Sequence, residues 1–393
     1  MAPSWSGLPS ELLGVVFLRL RCVADRVYFA AVCRSWRAAA QALAPAAAPQ
    51  PQLPWLLLLP SAAAPCFVSP LAGPARRALS LPPAARGARL CGAHAGGWLA
   101  VAADGWRAYA LVNLFSRACL PLPDRIRLPR PAVLTCLVVR AVALSAPPTA
   151  PGCVAAALVC GVSNLAFLRP RTDRRWWLAP EITLHGLQDV LYHDGAVRGF
   201  HAVSSDDTVT VFVQEGAPDA ADLRMAARRY RMQSQYYPYD AGWTRYLVES
   251  RGRLLMVMRS VPSSSARRGS VAGRATAPGF EVLELAVQAL PGGGHKASWM
   301  ELEDGGLDGR VLFLARACSR AFEGSQVGGV PEGIYFLDDT RFDISLALSS
   351  GGSFPCSDIG WCSGAAGEKI KRGINGFPSD FSSCFSSPTW FYP

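Results

Sequence analysis

The residues with the widest chemical repertoire are few and dispersed. His185, His193 and His201 stand eight residues apart. That spacing does not fix them on one face of an element, so strand and turn positions are expected rather than metal ligation. Asp206-Asp207 and Asp338-Asp339 are carboxylate pairs, yet each closes a strand-like run, where Asp is ordinary turn chemistry. Gly292-Gly293-Gly294 is not followed by Lys-Ser/Thr and reads as a hairpin loop rather than a phosphate cradle. Cys91 and His94 make half a metal site at best. There is no G-x-S-x-G, no H-E-x-x-H and no dinucleotide fingerprint. The expected chemistry is recognition: no catalytic residue, no cofactor and no metal are predicted.

Recognition needs positioned surfaces, and the chain divides into two kinds of element. Residues 5–43 carry a helical pattern. Pro9 suits a first helical turn and Glu11 complements its positive end, with Leu12, Leu13, Val16 and Leu20 following at helical spacing. A break at 21–24 precedes a second helix for which Asp25 is the expected cap. A third runs from Arg34 to Ala44 with Trp36 on its first turn, and Pro45, Pro49, Pro51 and Pro54 stop it. The predicted module is 3–44, followed by a semi-rigid Pro/Ala linker over 45–54.

From Trp55 to Pro393 the pattern is strands and turns. Units recur every 35–55 residues at 89–123, 153–180, 189–212, 245–286 and 297–339, most with a Gly turn and an aromatic residue. Self-similarity at this period signals propeller blades of about four strands and about 45 residues. The expected fold is therefore multidomain, α plus all-β: three helices, then a six- or seven-bladed β-propeller, with a pair of β-sandwiches as the runner-up. Residues 262–279 are polar, Ser/Arg/Gly-rich and aperiodic, which predicts a disordered insertion in a hairpin. Within it, Arg267-Arg268-Gly269-Ser270 places two cations ahead of a hydroxyl, making Ser270 a candidate phosphosite. Trp390, Phe391 and Tyr392 are too apolar for a free tail and are expected to pack into the ring.

Composition narrows the function classes. The 393 residues are half hydrophobic and carry a net charge of +10. The arginines are scattered, with no aromatic interleaving, so the charge reads as solvated surface and nucleic acid is not an expected partner. The 12 cysteines show no C-x-x-C spacing; most lie in apolar runs (Cys119, Cys136, Cys153, Cys160, Cys318) and are expected to be buried hydrophobes. No basic-then-apolar leader is visible at the N-terminus and no run reaches the roughly 20 apolar residues of a membrane span. A nuclear or cytoplasmic location is the expectation.

Leu8-Pro9-x-Glu11-Leu12-Leu13, Asp25-Arg26 and Val32-Cys33-Arg34-x-Trp36 together resemble the F-box. The resemblance implies docking on a Skp-type adaptor, and through it on a cullin, within an SCF-type E3 ubiquitin ligase. The motif positions that face the adaptor or define the core are Leu8, Pro9, Leu12, Leu13, Val32, Cys33 and Trp36. The rest of the chain is similar to the kelch-like propeller of a large plant family of F-box proteins called KIB-type. That resemblance rests on Gly97-Trp98-Leu99, Arg174-Arg175-Trp176-Trp177, Tyr192-His193-Asp194-Gly195, Tyr246–Ser250, Phe313-Leu314, Ile334–Asp339 and the closing Pro388–Pro393. It implies a propeller that binds a protein target. The alternative function class is a non-catalytic scaffold or regulatory propeller that recruits no ligase.

Overall fold

Blade strands in this chain are apolar on both faces because each blade is sandwiched between two others. The computed structural model describes residues 5–43, 52–59, 64–70, 75–103, 108–127, 134–136, 138–160, 165–179, 186–216, 223–232, 243–260, 279–291, 293–302, 306–327, 330–337, 354–355, 359–363, 370–372, 382–383 and 386–393. In the strand Trp98–Ala103, Leu99 and Val101 join one interblade core while Ala100 and Ala102 join the next. In Ala155–Cys160 the same alternation sends Ala155, Ala157 and Val159 one way and Ala156 and Leu158 the other. The period-two direction of side chains along a strand thus appears in the sequence as continuous apolar runs.

Six blades form the ring. Blade 1 is a four-stranded meander, Arg89–His94, Trp98–Ala103, Ala108–Asn113 and Cys119–Leu122. Blade 2 runs outward from Val138–Leu144 through Ala155–Cys160 and Leu165–Leu168 to Trp176–Leu178, with Arg125–Arg127 and Leu134–Cys136 added at its rim. Blade 3 is Leu187–His193, Gly199–Ser204, Val209–Glu215 and Arg224–Arg229. Blade 4 is Trp243–Ser250, Arg253–Ser260, Phe280–Ala289 and His295–Glu301, with Arg231–Met232 in parallel on its outer edge.

Blade 5 departs from the meander. Its inner strand is Arg320–Glu323, which pairs with the earlier Arg310–Phe313, and that strand in turn lies parallel to Gly333–Phe336. The outer strands are Gly360–Cys362 and Ile370–Arg372. Blade 6 is built from both ends of the domain. Thr389–Phe391 is its inner strand and pairs antiparallel with Trp55–Leu58, setting Trp55 opposite Phe391 and Leu56 opposite Trp390. Cys66–Val68 and Arg77–Ala78 complete it. The expected packing of the tail is observed, since Trp390, Phe391 and Tyr392 are all buried.

Three expected units need correction. The sequence unit 297–339 merged two blades: Trp299 lies on the last strand of blade 4, opposite Leu285, and blade 5 begins only at Arg310. The units at 153 and 189 were also too short, missing the inner strand of blade 2 and the outer strand of blade 3. The hairpin reading of the glycine run fits Gly293 and Gly294, which lie between paired strands at φ +93° and +88°; Gly292 is outside the described residues. So are nearly all of the 262–279 insertion, Ser270 included, His185 and the Asp338-Asp339 pair. Ser260 N–H donates to Gly279 O at 3.0 Å, so the insertion leaves and rejoins blade 4 at one point.

The three helices precede the ring: α1 (Ser10–Arg19), α2 (Val23–Ala31) and α3 (Arg34–Leu43). Their core is Leu13, Phe17, Phe29 and Ala40, with Trp36 leaning on Phe29 at 4.5 Å between ring centroids. Asp25 is not the cap of α2; Cys22 holds that position and Asp25 lies inside the first turn. No helix among the described residues is long and apolar enough to cross a membrane.

Candidate functional site

A module of about 40 residues has little interior to offer its apolar side chains, and here the shortfall is visible. Of the ten exposed large apolar side chains among the described residues, eight lie between Trp5 and Val32, so apolar exposure is concentrated on the helices. They are Trp5, Leu12, Val15, Val16, Leu18, Val27, Tyr28 and Val32. Apolar side chains left exposed together on one short module are the feature that marks interaction sites.

The module is fastened to the propeller rather than held off on a free linker. Cys22 and Ala24, at the α1–α2 junction, are buried in the core that fills blades 5, 6 and 1. Gln52 bridges to the same junction: its Oε1 accepts from Val23 N–H at 2.8 Å and its Nε2 donates to Arg21 O at 2.9 Å. Asp25 pairs with Arg77 of blade 6, whose guanidinium also lies over the Tyr28 ring at 5.2 Å. Leu53 is fully buried, so the last part of the expected linker belongs to the domain core.

A second site lies in the ring's central channel. The inner strands of blades 1 to 4 and the inner strand and preceding turn of blade 5 surround a cavity of about 330 Å³. Its charged lining is Glu249, Arg251, Arg320 and Glu323, beside His94 and Tyr192. Arg251 bridges Glu323, at 2.7 Å, and Asp308, and the contact with Arg251 holds the Glu323 carboxyl below its ordinary range. Glu249 Oε2 is 3.4 Å from His193 Nδ1. Arg320 has no carboxylate partner among the described residues; its guanidinium rests over Tyr392 at 5.2 Å. Burial, aided by the Arg320 charge, pushes His94 down to about 3, so it is neutral at physiological pH.

Below the cavity one carboxylate ties three blades together. Asp189 on blade 3 accepts from its neighbour Val190 N–H at 2.9 Å, from Leu247 N–H of blade 4 at 2.8 Å, and from Ala317 N–H of the blade 5 turn at 2.6 Å. Its burial pushes the carboxyl up to about 7 against the pull of these donors and of Arg316. The cavity and the helical module share one end of the ring. Tyr392 O accepts from Gly97 N–H at 3.0 Å just past His94, and Trp55, opposite Phe391, follows directly on Gln52 and Leu53. Gly97 is at φ +82°, and any Cβ there would run into the Phe115 ring, so this crossing requires glycine.

Compared with known families, the sequence matches the KIB1-4 β-propeller over residues 67–360, well over half of the chain. The chain belongs to the KIB1-4 β-propeller family. No curated protein matches it. The family match begins beyond the helices, so their role rests on their own residues.

In this KIB1-4 propeller the sequence-selected residues separate by exposure. Pro9, Leu12 and Val32 are exposed, and Leu8, Cys33 and Trp36 are half-buried. Leu13, 1% exposed against 52% for Leu12, is core and cannot face a partner; helical geometry turns adjacent positions to different faces. His193 and His201 do meet, at 5.4 Å between ring centroids, because antiparallel pairing sets His193 opposite Gly199 and His201 opposite Leu191. Among the described residues no group of three or more His, Cys, Asp or Glu is placed to hold a metal. Cys91 is buried with its thiol pushed up by desolvation, while Cys119, expected to be buried, is exposed on the outer strand of blade 1. Asp207 follows turn chemistry, at φ +65° and paired with Arg245. Asp189, Arg316 and Arg320 carried no sequence signal, since their partners come from other blades.

Proposed function

We propose that this protein is the target-holding subunit of an SCF-type E3 ubiquitin ligase, without catalysis of its own. The helices dock a Skp-type adaptor and, through it, a cullin; the propeller holds a protein target. The observation that carries this reading is the concentration of exposed apolar side chains on α1 and α2, in a module whose sequence resembles the F-box. Bonding of the α1–α2 junction to blade 6 would give adaptor and target a fixed separation, as transfer to a bound target requires.

The test is co-purification of the full chain with a panel of Skp-type adaptors. The full chain is needed because Cys22 and Ala24 are buried against the propeller. Substituting Pro9 and Leu12 together with Ala changes exposed side chains, so the fold should persist while adaptor binding falls by roughly 2 kcal/mol or more, as for anchors in a buried interface. Trp36→Ala is a poorer probe, since Trp36 supports Phe29. An intact chain that binds no adaptor would favour a scaffold or regulatory propeller instead.

A further inference from the structure

We infer that the channel cavity is a binding site for a carboxylate-bearing ligand, with Arg320 as its anchor. Three observations converge. First, a volume of about 330 Å³ sits at the lower end of the roughly 300–1,000 Å³ typical of ligand pockets; it admits a small molecule or a chain end, not a folded surface. Second, Arg320 stands in that cavity without a carboxylate partner among the described residues, whereas the neighbouring Arg251 is held by Asp308 and Glu323. A guanidinium presents a planar fork that matches a carboxylate in bidentate fashion. The Tyr392 ring beneath it limits its orientations. Third, His94, 8% exposed, lines the same cavity, and its Nε2 has no hydrogen-bond partner.

The charge pattern selects the class of anion. The lining holds two guanidinium groups and two carboxylates, so the cavity as a whole is neutral. A singly charged carboxylate on Arg320 is accommodated; a phosphate dianion would meet Glu249 and Glu323 with twice the repulsion. Glu249 is half-exposed and remains available to accept an N–H from the same ligand. A carboxylate next to an amide N–H is the chemistry of a peptide C-terminus and equally of a small N-acylated amino acid. The peptide source rests on the target-receptor reading above; carboxylate binding does not, and adaptor binding is scored in a separate assay.

The experiment uses the immobilised full chain and two pools of random tetrapeptides, one with free C-termini and one C-terminally amidated, read by mass spectrometry of the retained peptides. N-acetylglycine and inorganic phosphate are titrated separately by calorimetry. Retention of the free-acid pool at least about tenfold above the amidated pool, lost in Arg320→Gln, supports a peptide C-terminus as ligand; tenfold is the lower range for a charge-assisted pair. Binding of N-acetylglycine without peptide retention supports the same site with a small free carboxylate. Arg224→Gln, an exposed charge on the rim of blade 3, should behave as wild type. If Arg320→Gln fails to fold by its melting curve, Arg320→Lys decides: it keeps the charge, loses the fork and should weaken binding several-fold. The proposal is overturned if free and amidated pools are retained equally, if phosphate binds better than N-acetylglycine, if the Arg320 variant retains full binding, or if nothing binds.

Discussion

Trp390 is where the ring is locked. It is fully buried, its indole meets Phe313 of blade 5 edge-on at 4.9 Å, and its Nε1–H donates to Leu314 O at 3.0 Å. An aromatic side chain of this size removes about 250 Å² from water, worth about 6 kcal/mol at about 25 cal/mol per Å². Alanine keeps only a small part of that, and the Leu314 carbonyl is left without its donor. Trp390→Ala should therefore cost about 4–5 kcal/mol, within the range for large aromatic truncations. At about 2–4 °C per kcal/mol for larger domains, Tm should fall by roughly 10 °C or more. Trp390→Phe retains most of the ring but not the N–H, and should cost about 1–3 kcal/mol from the orphaned carbonyl. Differential scanning fluorimetry of the purified chain reads both. A drop of less than about 2 °C for Trp390→Ala would show that blade 6 does not close the ring, and the same reasoning predicts that deleting 388–393 is worse than either substitution.

The other predictions concern buried titratable groups. Asp189→Asn keeps one acceptor but turns an NH₂ toward one of the backbone donors that held the carboxylate, so urea unfolding should show a loss of about 2–3 kcal/mol. His94 and His201 are pushed down to about 3 and about 4, both chiefly by burial. Each is neutral in the folded chain and protonated in the unfolded chain between those values and about 6.5, so each makes stability rise with pH across that window. Asp189, raised to about 7, acts in the opposite sense, protonated when folded and ionised when unfolded. Urea midpoints from pH 4.5 to 6 should climb with pH in the wild type through the two histidines. A His94→Gln, His201→Gln double variant should lower that slope by up to roughly 2–3 kcal/mol per pH unit; an unchanged slope would remove both histidines from the account.

What could be read from the sequence was local. Gly96-Gly97 and Ser205-Asp206-Asp207 mark hairpins whose strands pair as expected, and the apolar end at 390–392 announced its own burial. What could not be read was assembled across blades. In blade 5 the inner strand Arg320–Glu323 comes second in the chain, so strand counting placed the boundary early and drew Trp299 into the wrong blade. Asp189 looks like a strand-edge turn residue until Leu247 and Ala317 arrive from blades 4 and 5. The seven motif residues of the helices were visible as a group, but which of them faced outward depended on the packing of Leu13 against Phe17 and Phe29.

Pairing of 55–58 with 389–391 also sets a schedule for the nascent chain. The strand Trp55-Leu56-Leu57-Leu58 is made well before its inner neighbour, which follows it by roughly 330 residues. At about 5–20 residues per second, the interval is roughly 17–70 s. Throughout it, four consecutive apolar residues present a bare strand edge, the feature that recruits other strands. Blades 1 to 4 can each form as they emerge, but premature termination anywhere before Thr389 leaves that edge permanently open, however many blades precede the stop. Loss-of-function truncations in this chain should therefore yield aggregated or degraded protein rather than shortened, folded propellers.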